Sequence, residues 1–320
     1  MMTMPLAREE LACAICGSSG AVSEIDTYKS TWLFCASCGC YSRIQKAAYP
    51  LERAARALLP VFRYVPKLNG FLHSLGRKKQ GVDFYRYYSE QLASGERGPW
   101  VGQFEMVTAE LRSADLLVGW SGCKVLEISG EPGYFAQDLM KAGADVVVSA
   151  FADDVARAMS ERLGVNTLTY DFNADDIVRK VAAANQSGPF DFVFIRFAIG
   201  FCEDVPVLMR KLSSLLKQGG LLYVSFSPAS RAVLLRWMFD DYTYLRQYTE
   251  AHLSDAAAAA DMRVRARFDE GYFHWDRGPH SLHWSLRPFA RRYFNANPFY
   301  RDGDEYDAVQ RRVALVFCRG

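Results

Sequence analysis

The chain has 320 residues, half of them apolar, with 38 lysines and arginines against 36 aspartates and glutamates and a formal net charge of +2. This is enough to bury a sizeable core, with room for one large domain plus an appendage, and no run approaches the roughly eighteen apolar residues of a membrane span. The sequence does not begin with a basic region followed by an apolar stretch, so no secretory signal is expected, and reduced thiols in a cytoplasmic setting are.

The first signal is a pair of Cys-x-x-Cys-Gly knuckles, Cys13-Ala-Ile-Cys16-Gly17 and Cys35-Ala-Ser-Cys38-Gly39, with eighteen residues between Cys16 and Cys35. Each glycine permits the tight turn that brings two sulfurs to one metal, and the spacing suits tetrahedral zinc. Cys13, Cys16, Cys35 and Cys38 are therefore the candidate ligands, with disulfide pairing as the alternative. Four thiolates leave no open coordination position, which points to a structural ion. Cys40 is an alternative to Cys38. Cys123, Cys202 and Cys318 stand alone, without a neighbouring histidine, and read as small core residues.

A basic stretch follows. Residues 41–90 carry ten lysines and arginines against Glu52, Asp83 and Glu90, a local charge of about +7. Such a stretch suits an anionic substrate (a nucleotide-linked sugar, a carrier-bound intermediate or RNA) or is simply a solvated helix surface, and both readings stay open. Pro60, Pro66, Gly70, Gly76 and Gly81 mark it as a connector, so the expected division is a zinc-binding module over 1–50, a helical connector or cap over 51–100 and a large domain over 101–320. Ala57 to His73 is apolar around Arg63 and Lys67, which fits packing on the large domain, a membrane surface or a substrate tail. The aromatic segment Phe84 to Tyr88 precedes a helical stretch from Gly102 to Leu117.

Residues 124–133, Lys-Val-Leu-Glu-Ile-Ser-Gly-Glu-Pro-Gly, form an apolar strand ending in a carboxylate and then a turn. Gly130 and Gly133 let the main chain approach a ligand there, and the helix Tyr134 to Ala142 points its N-terminus at the same spot. Strands follow at Asp145 to Ala150, Thr167 to Tyr170, Phe190 to Phe197 and Leu221 to Phe226, with helices at Asp153 to Arg162 and Val205 to Leu216. Apolar runs alternating with amphipathic helices predict a parallel sheet covered on both faces, with ligands at the carboxyl ends of the strands, where Glu127, Asp171 and Arg196 fall.

The order and spacing of Val125 to Phe135, Tyr170 to Phe172, Phe190 to Arg196 and Leu216 to Val224 resemble a class I S-adenosylmethionine-dependent methyltransferase, with Met262 to Phe268 and Val313 to Cys318 similar to that family's antiparallel ending. The resemblance implies an α/β, Rossmann-like seven-stranded sheet with helices on both faces, carrying a small N-terminal zinc ribbon or knuckle module. It implies S-adenosylmethionine as methyl donor and zinc as a structural ion. Glu127, Ser129, Gly130 and Gly133 would lie along the methionine part of the donor. Asp171 and Phe172 would meet its adenine, and Arg196, with Phe197 and Ala198, would border donor and substrate. Ordinary core packing is the other reading of Phe172 and Phe197. Tyr87 or Tyr88 would close over the donor, or else anchor the preceding helices. Two positions depart from the pattern: Ser129 stands where glycine is usual, and Ala150 where an acidic residue usually holds the ribose hydroxyls. Asp153 and Asp154, nearby, read as capping and starting the following helix. Either donor affinity is reduced or another group holds the ribose.

The insertion over about 270–308 is dense in rings and histidines. His274, His280 and His283 are its candidate general bases, each weighed against a surface or hydrogen-bonded histidine. Aromatic faces suit a sugar or planar ring, so the leading expectation is methyl transfer to a small-molecule acceptor, possibly anionic, such as a sugar or biosynthetic intermediate. An RNA methyltransferase is the second reading, because a zinc module before this fold also resembles certain ribosomal RNA enzymes. A non-catalytic binding protein is the third, motivated by Ser129 and Ala150.

Overall fold

The computed structural model describes residues 12–19, 21–26, 31–44, 88, 90, 92–95, 97, 100–184, 189–229, 245–272 and 311–320. The connector from 51 to 87, most of the aromatic segment before Tyr88, and His274, His280 and His283 lie outside the described residues.

Strands β1 (Val22–Asp26), β2 (Thr31–Cys35) and β3 (Tyr41–Ile44) form an antiparallel meander in the N-terminal module. Helix α1 (Gln103–Ser113) leads to the large domain, in which β4 (Lys124–Ile128), α2 (Tyr134–Lys141), β5 (Asp145–Ala150), α3 (Asp153–Leu163), β6 (Asn166–Thr169), α4 (Ile177–Ala183), β7 (Phe190–Arg196), α5 (Val205–Leu215) and β8 (Leu216–Phe226) alternate. A 3-10 turn (Ile199–Phe201) follows β7, and strand β9 (Arg246–Gln247), α6 (Glu250–Ala258), β10 (Met262–Tyr272) and β11 (Arg311–Arg319) come after β8.

Among the described residues the large sheet has seven strands in the order β10-β11-β8-β7-β4-β5-β6. Its five central and outer strands from β8 to β6 run parallel, while β11 and β10 are antiparallel. The chain builds outward from β4 to β5 and β6, then crosses back to place β7 on the other side of β4. That reversal opens a crevice at the carboxyl ends of β4 and β7.

Strand periodicity sorts the core. Leu126, Ile128, Val147, Val193 and Ile195 join one apolar cluster with residues of α4, α5 and α6. Val125, Val146, Val148, Phe192 and Phe194 join a second with α1, α2 and α3. With both faces covered, the strands read as near-continuous apolar runs. Glu127 and Arg196 fall on the second face, beneath α1 and α2, by the same alternation.

Lys217 to Gly220, between the expected helix and strand, lie inside β8, which begins at Leu216. The pairing shifts between Phe190 and Phe192 to absorb the extra residues. Gly220 is held so closely that an added Cβ would sit 2.9 Å from the Lys217 carbonyl and 3.0 Å from that of Phe190.

The small sheet is joined to the large domain. Strand β3 pairs with β9 through Tyr41↔Gln247 and Ser42↔Arg246, making the order β1-β2-β3-β9. Thr249, the N-cap of α6, donates its hydroxyl to the Cys38 carbonyl at 3.2 Å, and its backbone N–H meets the Cys40 sulfur at 3.5 Å. Cys40 is fully buried in the same cluster as α6.

Candidate functional site

At the crevice, the last carboxylate of β4 is locked from behind. The Arg196 guanidinium reaches across from β7 and donates to Glu127 Oε1 from Nε at 3.0 Å and from NH2 at 2.8 Å. A third donor goes to the Gln103 side chain at the start of α1, and the guanidinium lies 3.9 Å over the Phe135 ring of α2. Both Arg196 and Glu127 are buried. The pairing spends both Arg196 contacts on one oxygen, leaving Glu127 Oε2 buried with no hydrogen-bond partner. Burial pushes the Glu127 carboxyl up, and Arg196 opposes the shift. Arg196, expected beside donor and substrate, is buried against Glu127, Gln103 and Phe135.

The turn after β4 closes over this carboxylate. Ser129 has φ 53°, a left-handed conformation that explains why glycine suits the position. Its N–H donates to the Ser149 hydroxyl at 2.9 Å, while its own hydroxyl is buried without a partner. Gly130 must lack a side chain: a Cβ there would come within 2.6 Å of Glu127 Oε2 and of Val148. Gly133, with φ 89°, starts α2 without a side-chain cap. The turn therefore gathers two orphaned oxygen atoms and an uncapped helix start at one place. Buried polar groups seldom lack partners unless something else supplies them.

Past the ends of β5, β6 and β7 lies an aromatic group. Phe151 packs edge-on against Phe201 with centroids 5.1 Å apart and lies 6.2 Å from Phe172, which touches Tyr170. Phe172 is buried in the core, whereas Phe151 and Phe201 are half-buried. Asp171 is exposed. Its Oδ1 accepts the Asn173 N–H at 2.7 Å and that of Ala174 at 3.1 Å, and its own N–H donates to Asp175. Asn173 then ties this loop to the next, donating to the Phe201 carbonyl at 2.9 Å and accepting the Glu203 N–H at 2.9 Å. Phe197, in a left-handed conformation at φ 61°, donates its N–H to Ser225 and carries Arg312 4.1 Å over its ring.

Two residues the sequence reading passed over stand out. Phe151 follows Ala150 and presents a half-buried ring at the end of β5, where an aromatic directly after an apolar strand was the available clue. Glu131, inside the turn itself, is 5% exposed and accepts the Phe151 N–H on Oε1 at 2.6 Å. A carboxylate among small turn residues was the clue there. Asp153 and Asp154 start α3 but do not cap it: they stand in its first turn, and its N-cap is Ala152, without a side-chain cap hydrogen bond.

In the N-terminal module the sulfurs of Cys13 and Cys38 are 3.8 Å apart and those of Cys16 and Cys35 3.7 Å, and all four lie within 4.8 Å of one another. Zinc bound to four thiolates at about 2.3 Å needs sulfurs about 3.8 Å apart. Matching turns present the pairs: the Gly17 N–H donates to the Cys13 carbonyl and that of Gly39 to the Cys35 carbonyl, both glycines with positive φ. Cys40 turns away toward Thr249. The cysteines are unbridged.

Among solved structures, the chain is similar to magnesium protoporphyrin IX methyltransferase (ChlM) from Synechocystis PCC 6803 with bound SAH, at 14% identity and TM-score 0.45, covering 70% of this chain and 85% of that one. It is also similar to an S-adenosylmethionine dependent methyltransferase from Mesorhizobium loti, at 14% identity and TM-score 0.44, covering 65% and 95%. Over 152 residues, 45% of this chain, it is 30% identical to the biotin biosynthesis bifunctional protein BioHC of Cellvibrio japonicus (strain Ueda107), and spans only 28% of that protein's length. A family model described as a methyltransferase domain matches residues 77–266, more than half of the sequence. The chain belongs to that methyltransferase family.

Proposed function

We propose that this chain transfers the methyl group of S-adenosylmethionine to a small-molecule acceptor, with the donor in the crevice between β4 and β7 and zinc held structurally by Cys13, Cys16, Cys35 and Cys38. The observation that carries the donor site is the pair of orphaned oxygens, Glu127 Oε2 and Ser129 Oγ, at the one turn where Gly130 lets the backbone come close. Glu127 Oε2 accepts from the donor's amino group, the turn from Ser129 to Gly133 follows its amino-acid part, and Asp171 accepts from the adenine amine beside Phe151 and Phe172. The bound sulfonium supplies an electrophilic methyl group, so the protein contributes positioning, exclusion of water and, for a hydroxyl acceptor, a base. His274, His280 and His283 remain the candidates for that base. The acceptor's size class rests on the ring-rich sequence between β10 and β11. On this reading residues 1–50 are a metal-held module, 51–100 a connector or cap and 101–320 the transferase domain.

The test pairs metal analysis with calorimetry. The purified protein should contain one zinc per chain and bind S-adenosylhomocysteine with micromolar affinity, and Asp171→Ala should weaken that binding about tenfold, the worth of one hydrogen bond to a charged group. Folded, zinc-loaded protein that binds neither S-adenosylhomocysteine nor S-adenosylmethionine would refute the reading.

A further inference from the structure

The nucleoside of the methyl donor carries a ribose with two neighbouring hydroxyls, which donate their strongest hydrogen bonds to an ionised acceptor. Strand β5 ends in Ala150, whose side chain offers none. Glu131 supplies a carboxylate at that place. It belongs to the β4–α2 turn, yet its Oε1 lies 2.6 Å from the backbone N–H of Phe151, the residue that follows β5. Its side chain is buried, and no cation pairs with it among the described residues. A structural acid would be expected to find such a partner, since burying an unpaired carboxylate is costly. Burial and the neighbouring Glu127 instead lift it to about 7. The same turn holds the unpartnered Glu127 Oε2 and Ser129 Oγ, an independent sign that a polar ligand completes this spot.

We propose that Glu131 is the ribose-binding carboxylate of this chain, reaching from the β4–α2 turn to the end of β5 to accept the hydroxyls that Ala150 cannot. The inference rests on the donor site described above. It makes Glu131 a binding group and not a plug occupying the donor's place. Charged groups on the elements that meet there are Glu127 of β4, with Arg196 of β7 behind it, Asp153 and Asp154 of α3 and Asp171 after β6. Of these, Glu127 is the one that raises the Glu131 carboxyl.

Calorimetric titration of the zinc-loaded full chain with S-adenosylhomocysteine and its 2′,3′-dideoxy counterpart decides the matter. At pH 8, Glu131→Gln should weaken S-adenosylhomocysteine binding about tenfold to hundredfold, yet bind the dideoxy ligand within about threefold of wild type. Wild-type affinity for S-adenosylhomocysteine should rise from pH 6 to pH 8 as the carboxyl ionises, while the dideoxy ligand shows no such rise. This ligand-side comparison stands even if the variant fails to fold. Equal loss on both ligands would make Glu131 merely structural, and equal or tighter binding of S-adenosylhomocysteine by the variant would make it a plug. Either result overturns the proposal while leaving the donor site intact. Failure of wild type to bind either ligand would remove the donor site, and this inference with it.

Discussion

The Glu127–Arg196 pair fixes a buried carboxylate at the end of β4. Two guanidinium contacts to one carboxylate oxygen hold the side chain in a single orientation and turn the other oxygen toward the turn. Removing one partner of a buried pair leaves an uncompensated charge, so Arg196→Met should cost roughly 3–5 kcal/mol in chemical denaturation. Combining it with Glu127→Met should recover most of that loss, but not donor binding. Gly130→Ala should destabilise by about 1–3 kcal/mol, because the new methyl must displace Glu127 or Val148. It should also weaken S-adenosylhomocysteine binding, measurable by calorimetry on the folded fraction. Glu131 links to stability with the opposite sign from an ordinary paired acid. Its carboxyl lies near 7 in the fold, above its usual 4.5. Between those values the folded protein holds a proton that the unfolded chain has released, so stability falls as pH rises through that window. The full effect is on the order of 3 kcal/mol. In the absence of donor, Glu131→Gln should therefore lose less melting temperature than wild type between pH 5 and pH 8.

At the scale of elements, much was legible because local rules and the fold agree. Strand β5 runs from Asp145 to Ala150, as its apolar pattern indicated, and the Ser129 departure became intelligible once the backbone proved left-handed there. Strands β10 and β11 extend beyond the read segments because antiparallel pairing continues through less apolar residues, with irregular register near Asp269 and Gly271. The Glu127–Arg196 contact spans 69 positions and depends on β7 crossing back beside β4, which no local pattern encodes. The docking of the cysteine module was equally hidden, since β9 is two residues long. That docking continues inward. Leu245 accepts from Arg43 and donates to Gly200, Tyr248 donates to the Cys202 carbonyl at 2.6 Å, and Asn173 binds Phe201 and Glu203. The cysteine module thus braces the loop after β7, beside the proposed adenine position. Stripping zinc with a chelator should lower the melting temperature and weaken S-adenosylhomocysteine binding several-fold, both restored by added zinc. Unchanged binding by the metal-free protein would uncouple the two sites.

For the molecule as a whole, the reversal of strand order places the proposed donor site at the carboxyl ends of β4 and β7. Helices cover both faces of the sheet, so an approaching ligand meets the carboxyl ends of the strands, where the turn after β4, Phe151, Asp171 and the loop after β7 converge. The proposed acceptor site falls on the segment between β10 and β11, whose sequence is rich in rings and histidines. The central claim is that the methyl donor occupies the β4–β7 crevice with Glu127 Oε2 as an acceptor. A crystal structure of the zinc-loaded protein with S-adenosylhomocysteine tests it most directly. The ligand's amino group should lie within hydrogen-bond distance of Glu127 Oε2 and its adenine beside Phe151 and Asp171. A ligand bound elsewhere, or a Glu127 oxygen turned away from it, would contradict the account.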